Sequence, residues 1–82
     1  MEKSIHTHQQ EKLQELLRTL REEAGLRQVD LAKLLGEPQP FVSRYERGER
    51  RLDILELRKI CKLLGLTLKQ FADRLEKILG EA

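Results

Sequence analysis

Apolar residues recur every three or four positions in five separate stretches of this 82-residue chain. That period places apolar side chains along one face of a helix. Glycine or proline lies between most of the stretches and interrupts the pattern. No segment shows the sustained alternation of apolar and polar residues that is typical of a half-buried strand. The pattern therefore predicts a compact, all-α domain of five helices joined by short turns.

The predicted helix bounds follow from these stretches and from residues suited to helix ends. Asp53 with Glu56, and Thr67 with Gln70, have the spacing of a capping box at the start of the last two helices. The predicted helices span about 11–24, 28–35, 39–47, 53–64 and 67–79. The side chains predicted to face inward are Leu13, Leu16, Leu17, Leu20, Ala24, Leu31, Ala32, Leu35, Val42, Tyr45, Ile54, Leu57, Ile60, Cys61, Leu64, Leu68, Phe71, Ala72, Leu75, Ile78 and Leu79.

Composition restricts the class of protein. Residues 1–10 are polar and unpatterned, which predicts a flexible tail before a single domain over 11–82. Apolar residues make up 39% of the chain and charged residues 37%, a balance typical of globular proteins. No apolar run reaches the length of a membrane span, and the first residues lack the apolar core of a signal peptide. The lone cysteine, Cys61, fits a reducing compartment, so we expect a cytoplasmic protein.

Positive charge is concentrated in one short segment of a nearly neutral chain. The net charge is +2, whereas residues 44–51 read RYERGERR and contain Arg44, Arg47, Arg50 and Arg51. Such a cluster can bind phosphates without driving strong indiscriminate binding. A solvated, charged turn would have the same composition, so the cluster alone does not identify a nucleic-acid partner.

Residues 27–48, RQVDLAKLLGEPQPFVSRYERG, combine two short predicted helices with a tight turn at Gly36. Two helices that cross steeply need a small side chain at the crossing, a flexible turn and apolar residues to hold them together. Ala32 meets the first requirement and Gly36 the second. Leu31, Leu35 and Val42 meet the third, so the segment is predicted to form a helix-turn-helix.

The chain resembles the lambda-repressor-like, or xenobiotic-response-element type, helix-turn-helix proteins, which include phage repressors and Cro-like transcriptional regulators. The resemblance extends from about Leu17 to Leu75. It depends on several features at fixed spacing, namely Gln28, Leu31-Ala32, Leu35-Gly36, Gln39, Val42-Ser43-Arg44-Tyr45-Glu46-Arg47-Gly48, Leu57, Cys61 and Leu64-Gly65.

The resemblance implies a set of contacts with duplex DNA. It places Gln39, Pro40 and Arg44 against base edges, and the phosphate contacts at Gln28, Ser43, Arg47, Arg50 and Arg51. The chemistry agrees, because a glutamine amide can pair with adenine and an arginine fork with guanine in the major groove. The resemblance further implies an ion pair between Arg21 and Glu46 that would fasten the third helix to the first.

Four residues depart from the common pattern of the family, and one of them, Phe41, is large where small polar residues are frequent. Pro38 replaces the usual hydroxyl cap of the third helix, and Arg27 replaces a frequent threonine cap of the second. Pro40 in the first turn biases Gln39 away from helical angles, which leaves the orientation of Gln39 open. Phe41 either contacts thymine methyl groups or packs against the turn near Leu34, and packing is the favoured role.

The resemblance implies a transcriptional regulator, most simply a repressor of bacterial or phage type, that inserts helix 39–47 into the major groove. Proteins of this kind pair two copies on adjacent half-sites. Leu75, Ile78 and Leu79 are the predicted dimer seam, unless the whole stripe packs on the first and fourth helices. The alternative function is a protein-interaction module or antitoxin, which would more often show an apolar patch on the third helix.

Catalysis and cofactor binding lack a sequence signal. His6 and His8 lie in the predicted tail without further ligands, so no metal site is expected. Cys61 falls on the inner face of a helix without a paired base, which predicts an inert buried thiol. With no catalytic constellation and no phosphate-binding glycine loop, the chain is predicted not to be an enzyme and to need no cofactor or small-molecule ligand.

Overall fold

The computed structural model describes residues 8–80, which form five α-helices and no strand. The helices are α1 (His8–Glu23), α2 (Gln28–Leu35), α3 (Gln39–Glu46), α4 (Ile54–Leu63) and α5 (Leu68–Leu79). This arrangement confirms the predicted all-α class. None of these helices has the length and apolar composition that crossing a membrane requires.

The local chemistry of the helix ends explains where several elements start and stop. Asp53 and Glu56 form the predicted capping box of α4, and Thr67 and Gln70 form that of α5. Gly36 ends α2 in the left-handed region at φ +73°, where its own amide and that of Glu37 satisfy the last carbonyls of the helix. The tight turn between α2 and α3 therefore depends on a glycine.

The core is built from the inward faces of all five helices. Ala32 and Val42 are completely buried, which allows α2 and α3 to approach closely as predicted. The buried apolar residues are Leu16, Leu17, Leu20, Leu31, Ala32, Leu35, Val42, Tyr45, Ile60, Cys61 and Phe71. Since α1 packs on α3 and α5, while α2 packs on α3 and α4, the helix-turn-helix is supported from two sides.

The structure corrects two predicted helix bounds. Helix α1 begins at His8 rather than Glu11, so residues 8–10 of the predicted tail are helical, while 1–7 lie outside the described residues. Gln10 is half-buried and lines a cleft of about 150 Å³ between α1 and the 50–52 loop, so tertiary contact supports this extra turn. Helix α3 ends at Glu46, and Arg47 caps it.

Four residues predicted to face inward are exposed, namely Ala24, Ile54, Ala72 and Ile78, the last of which also belongs to the predicted dimer seam. Ile54 has 63% of its surface exposed, because Leu52, just before the cap, packs on the core in its place. Leu52 and Leu57 occupy the positions of a hydrophobic staple, which orients the entry of the chain into α4. Ala72 is also exposed, whereas Leu68 and Leu75 pack on the core beside buried Phe71. Periodicity alone did not indicate the staple.

Candidate nucleic-acid interface

Helix α3 divides into a buried face and an exposed polar face. The buried face of α3 consists of Val42, Tyr45 and Glu46. Gln39 and Arg44 are exposed, and Ser43 is half-buried. The three residues predicted to contact bases, Gln39, Pro40 and Arg44, therefore all lie on the solvent side of the helix.

A hydrogen-bonded chain of four side chains connects this exposed face with the interior. Gln39 Nε2 donates to Gln28 Oε1 at 3.3 Å, and Gln28 Nε2 donates to Glu46 Oε1 at 3.0 Å. Glu46 accepts in turn from Arg21, through Nε at 2.7 Å and Nη2 at 3.0 Å. The structure thus brings together Gln28 and Gln39, which the resemblance assigned to different DNA contacts.

The predicted pair of Arg21 and Glu46 is present and bidentate. Only 8% of Arg21 and 5% of Glu46 is exposed, so both charges are withdrawn from solvent. Arg21 also donates through Nη1 to the carbonyl of Leu26 at 2.9 Å. The hydrogen bonds to Glu46 raise the pKa of Arg21 above its ordinary value, against the opposing effect of burial. This pair joins α1, the turn after it, and α3.

The N-terminus of α2 is closed by a local ion pair in place of a hydroxyl cap. The Asp30 carboxylate accepts hydrogen bonds from the backbone and side chain of Arg27 at 2.9–3.0 Å. The Arg27 side chain and backbone amide lower the pKa of Asp30 to about 2. Arg27 and Asp30 therefore replace the missing threonine cap.

At the N-terminus of α3, Pro38 is the cap residue in an extended conformation, and Pro40 lies within the first turn. The Phe41 amide donates to the Pro38 carbonyl at 2.9 Å, and Ser43 Oγ donates to the Pro40 carbonyl at 3.2 Å. Gln39 is nevertheless the first helical residue, with its amide directed to Gln28. The structure thereby gives Gln39 a defined orientation.

The four arginines after Ser43 fall into two groups. Arg47 forms a bidentate pair with Glu49, and Arg50 forms one with Glu56 at 2.8 and 3.1 Å. These pairings lower the pKa of both glutamates. Arg44 and Arg51 are exposed and make no side-chain hydrogen bond or ion pair within residues 8–80. Of these four arginines, Arg44 and Arg51 are therefore the two whose guanidinium groups remain available to a ligand.

Phe41 has the packing role favoured from the sequence, with partners that the sequence did not indicate. Its ring meets Tyr45 edge-on with centroids 5.6 Å apart, and the Arg50 guanidinium lies 4.7 Å from its centroid. It also packs on the core, while Leu34 is itself largely exposed. The ring therefore helps hold the loop after α3 against that helix.

Three supporting residues were missed in the sequence. Glu56 binds Arg50, Gln14 Nε2 donates to the Glu46 carbonyl at 3.4 Å, and Lys59 Nζ donates to the Leu35 carbonyl at 3.2 Å. Each contact crosses between elements, and two of them join residues more than 20 positions apart. No local spacing signals such contacts, although the capping role of Glu56 did identify it as structurally important.

The remaining chemically reactive side chains among residues 8–80 have structural roles. Cys61 is fully buried, as predicted, and burial raises the pKa of its thiol. Among residues 8–80, no group of histidine, cysteine, aspartate and glutamate side chains is arranged to hold a metal ion. His8 starts α1, and His6 lies outside the described residues.

Comparison with known proteins identifies the same two-helix unit. The helix-turn-helix family matches residues 17–71. An XRE-family like protein from Pseudomonas syringae pv. tomato str. DC3000 is similar over 94% of both chains, with 38% identity and a TM-score of 0.82. The structure of apo-HppE is similar over 71% of this chain and 33% of its own, with 34% identity and a TM-score of 0.65. A comparison with curated proteins found no match.

The family match covers all of α2, α3 and α4, including the polar network and the exposed face of α3. The similarity to the Pseudomonas protein extends the agreement to nearly the whole five-helix arrangement. The chain therefore belongs to the helix-turn-helix family of XRE, lambda-repressor-like DNA-binding regulators.

Proposed function

We propose that this protein is a sequence-specific, double-stranded DNA-binding transcriptional regulator that acts as a repressor in the bacterial cytoplasm. Helix α3 enters the major groove, and a homodimer occupies two half-sites. The observation that carries the proposal is the exposed polar face of α3, which displays Gln39 and Arg44 above a buried support.

The available hydrogen-bonding groups divide the contacts between bases and phosphates. Arg44 has an unpaired fork suited to guanine, and Gln39 has amide groups left over for a base edge, with Pro40 in van der Waals contact beside it. Gln28 and Arg51 contact phosphates, and Ser43 does so after its hydroxyl turns away from the Pro40 carbonyl. Arg47 and Arg50 contribute through their backbone and by shaping the loop, since glutamates already bind their side chains.

The end of α5 is proposed as the dimer seam. Ile78 is 44% exposed, while Leu75 and Leu79 are half-buried beside it. Two copies that bury Ile78 against its symmetry mate would remove apolar surface from water at a two-fold axis. The resulting pair would place two recognition helices on one face of DNA.

A role as a protein-interaction module or antitoxin is less well supported by α3. That function would more often use an apolar surface on the helix, and Phe41 is the large apolar side chain that could provide it. Its ring is instead engaged by Tyr45 and Arg50 and packs on the core. What remains exposed on α3 is mainly polar.

Binding-site selection from random duplexes tests the proposal. The expected result is enrichment of one motif with two inverted halves, about one helical turn apart. The selected duplex should bind at least about a thousandfold more tightly than a scrambled one at physiological salt. Recovery of no motif, with equal affinity for both duplexes, would contradict a sequence-specific role.

A further inference from the structure

The cleft between α1 and the 50–52 loop has the size and the apolar walls of a site for one small organic molecule. Its volume is about 150 Å³, and a cavity of that size with apolar walls can take up a benzene ring. The apolar walls are formed by Leu13, Leu17, Leu52 and Leu57. Because the lining comes from four separate segments of the chain, no local spacing in the sequence indicated this cleft.

Tyr45 lines the cleft and carries a hydroxyl that has no hydrogen-bond partner within residues 8–80. Only 3% of the residue is exposed, so water reaches it poorly. Burial raises the pKa of the hydroxyl above its ordinary value, which keeps it protonated and able to donate. Buried polar groups in folded proteins nearly always have a partner. An acceptor bound in the cleft would supply one.

The charge at the cleft is positive. Arg50 and Arg51 both line it, and none of the described residues that line it is acidic. Arg50 is held by Glu56 and donates to the Arg51 carbonyl at 2.9 Å. The Arg51 guanidinium is exposed and makes no hydrogen bond or ion pair within the described part of the chain. One unpaired positive charge beside a hydroxyl donor suits a single carboxylate.

We infer that this cleft binds a small monocarboxylate with an apolar body the size of a benzene ring, and that its binding releases the protein from DNA. The carboxylate accepts from the Arg51 guanidinium and the Tyr45 hydroxyl, while the apolar body lies against the leucines. The second part rests on the proposed function, in which Arg51 contacts a phosphate. Because carboxylate and phosphate compete for one guanidinium, ligand and DNA weaken each other's binding by the same factor.

Calorimetric titration of the full chain without DNA tests the site. Benzoate is the probe, benzyl alcohol is the control that lacks the charge, and acetate is the control that lacks the apolar body. Benzoate should bind saturably at one site, at least about tenfold more tightly than either control, because both parts of the site contribute. Absence of saturable binding, or equal affinities for benzoate and benzyl alcohol, would overturn the inference.

Three variants test the assigned contacts. Arg51→Ala should weaken benzoate binding about tenfold, whereas Arg18→Ala, which removes an exposed arginine of α1 outside the cleft, should not change it. Tyr45→Phe should also weaken it without lowering the midpoint of urea unfolding, because the hydroxyl has no partner within residues 8–80 to lose. Wild-type benzoate affinity in Tyr45→Phe, or equal losses in the two arginine variants, would overturn the inference.

The effect on DNA is measured with the duplex obtained by binding-site selection. Saturating benzoate should weaken its binding to wild type at least about fivefold, and acetate at equal ionic strength should not. Arg51→Ala should bind the duplex equally with and without benzoate. Unchanged duplex affinity in wild type that binds benzoate would overturn the release of DNA. Recovery of no motif would contradict the proposed function, while the titration without DNA would still decide whether the cleft binds the probe.

Discussion

At the scale of single residues, the exposed side chains around α3 differ in whether the protein already binds them. Arg47 and Arg50 are held by Glu49 and Glu56. Arg44 has no such partner within the described residues, so its binding to DNA does not require an internal ion pair to break. This difference makes Arg44 the first residue at which the proposed contacts can be tested.

Replacing Arg44 with alanine should relax sequence preference and weaken binding to the best site by about 1–3 kcal/mol. The loss is expected because the variant removes the proposed bidentate contact to guanine. Arg18→Ala is the matched control, since it removes an exposed arginine of α1 outside the helix-turn-helix. Titration of the selected duplex by fluorescence anisotropy gives both affinities. Equal losses for the two variants would show that Arg44 contributes only charge.

Gly48 shows how a single backbone position links the end of α3 to α1. It adopts φ +79°, and an added Cβ would lie 2.6 Å from Gln14 Oε1. Gly25 adopts φ +76° with nothing within 4 Å of an added Cβ. The two glycines share the same backbone requirement and differ in the neighbouring side chain.

Gly25→Ala should therefore destabilise the fold by about 1–2 kcal/mol through its backbone alone. Gly48→Ala should cost a further ~1 kcal/mol, because Gln14 must give up its hydrogen bond to the Glu46 carbonyl. Urea unfolding measures both changes. Adding Gln14→Ala to each variant should remove most of the difference, and equal costs in the two single variants would refute the Gln14 contact.

At the scale of elements, α1 and α3 are joined by the buried Arg21–Glu46 pair. The two charges lie 25 residues apart in sequence. Removing one partner leaves the other charge in a water-poor environment and should cost about 3–5 kcal/mol of unfolding free energy. An exposed pair would show a coupling below about 1 kcal/mol.

A double-mutant cycle with Arg21→Met and Glu46→Gln, followed by urea unfolding, measures this coupling. The control is the same kind of cycle on Arg27 and Asp30, whose arginine side chain is 77% exposed. We expect strong coupling for the first pair and weak coupling for the second. Comparable, small values in both cycles would contradict the fastening role of the buried pair.

Helix ends and helix partners were predictable from the sequence to different degrees. The starts of α4 and α5 depend on local capping boxes, so three-residue spacing was sufficient to predict them. The start of α1 depends on the cleft beside Gln10, and the exposure of Ile54 depends on the Leu52–Leu57 staple. Those contacts are formed by the folded chain and leave no local pattern.

The candidate site was likewise predictable from the sequence only in part. The exposure of Gln39 and Arg44 followed from helical geometry, and the Arg21–Glu46 pair was implied by resemblance to the family. The pairing of Arg50 with Glu56 and the direction of the Gln28 amide were not predictable. Both depend on distances between separate elements, which composition and spacing do not determine.

At the scale of the whole molecule, the small net charge of +2 shapes how the protein would find DNA. Sequence-independent binding depends on phosphate neutralisation, and a net charge of +2 favours it only weakly. In the proposed function, selectivity comes from base contacts at two half-sites rather than from charge. A dimer is the simplest way for a chain of this size to supply them.

Ile78→Glu should dissociate the dimer and weaken operator binding without unfolding the monomer, because it places a charge at the proposed seam. Leu55→Glu is the control, since it places the same charge at a residue that is 74% exposed and belongs to α4 rather than α5. Sedimentation at micromolar concentration, free and with operator DNA, reports both variants. If Leu55→Glu is monomeric while Ile78→Glu remains dimeric, the seam lies on α4 instead.

Methylation interference on the selected duplex tests most directly whether α3 recognises DNA through the major groove. Dimethyl sulfate methylates guanine N7, which faces the major groove, and adenine N3, which faces the minor groove. Methylation of guanine N7 in each half-site should block binding, and Arg44→Ala should remove that sensitivity at one guanine per half-site. If N7 methylation has no effect and N3 methylation blocks binding, recognition of the major groove by α3 is contradicted.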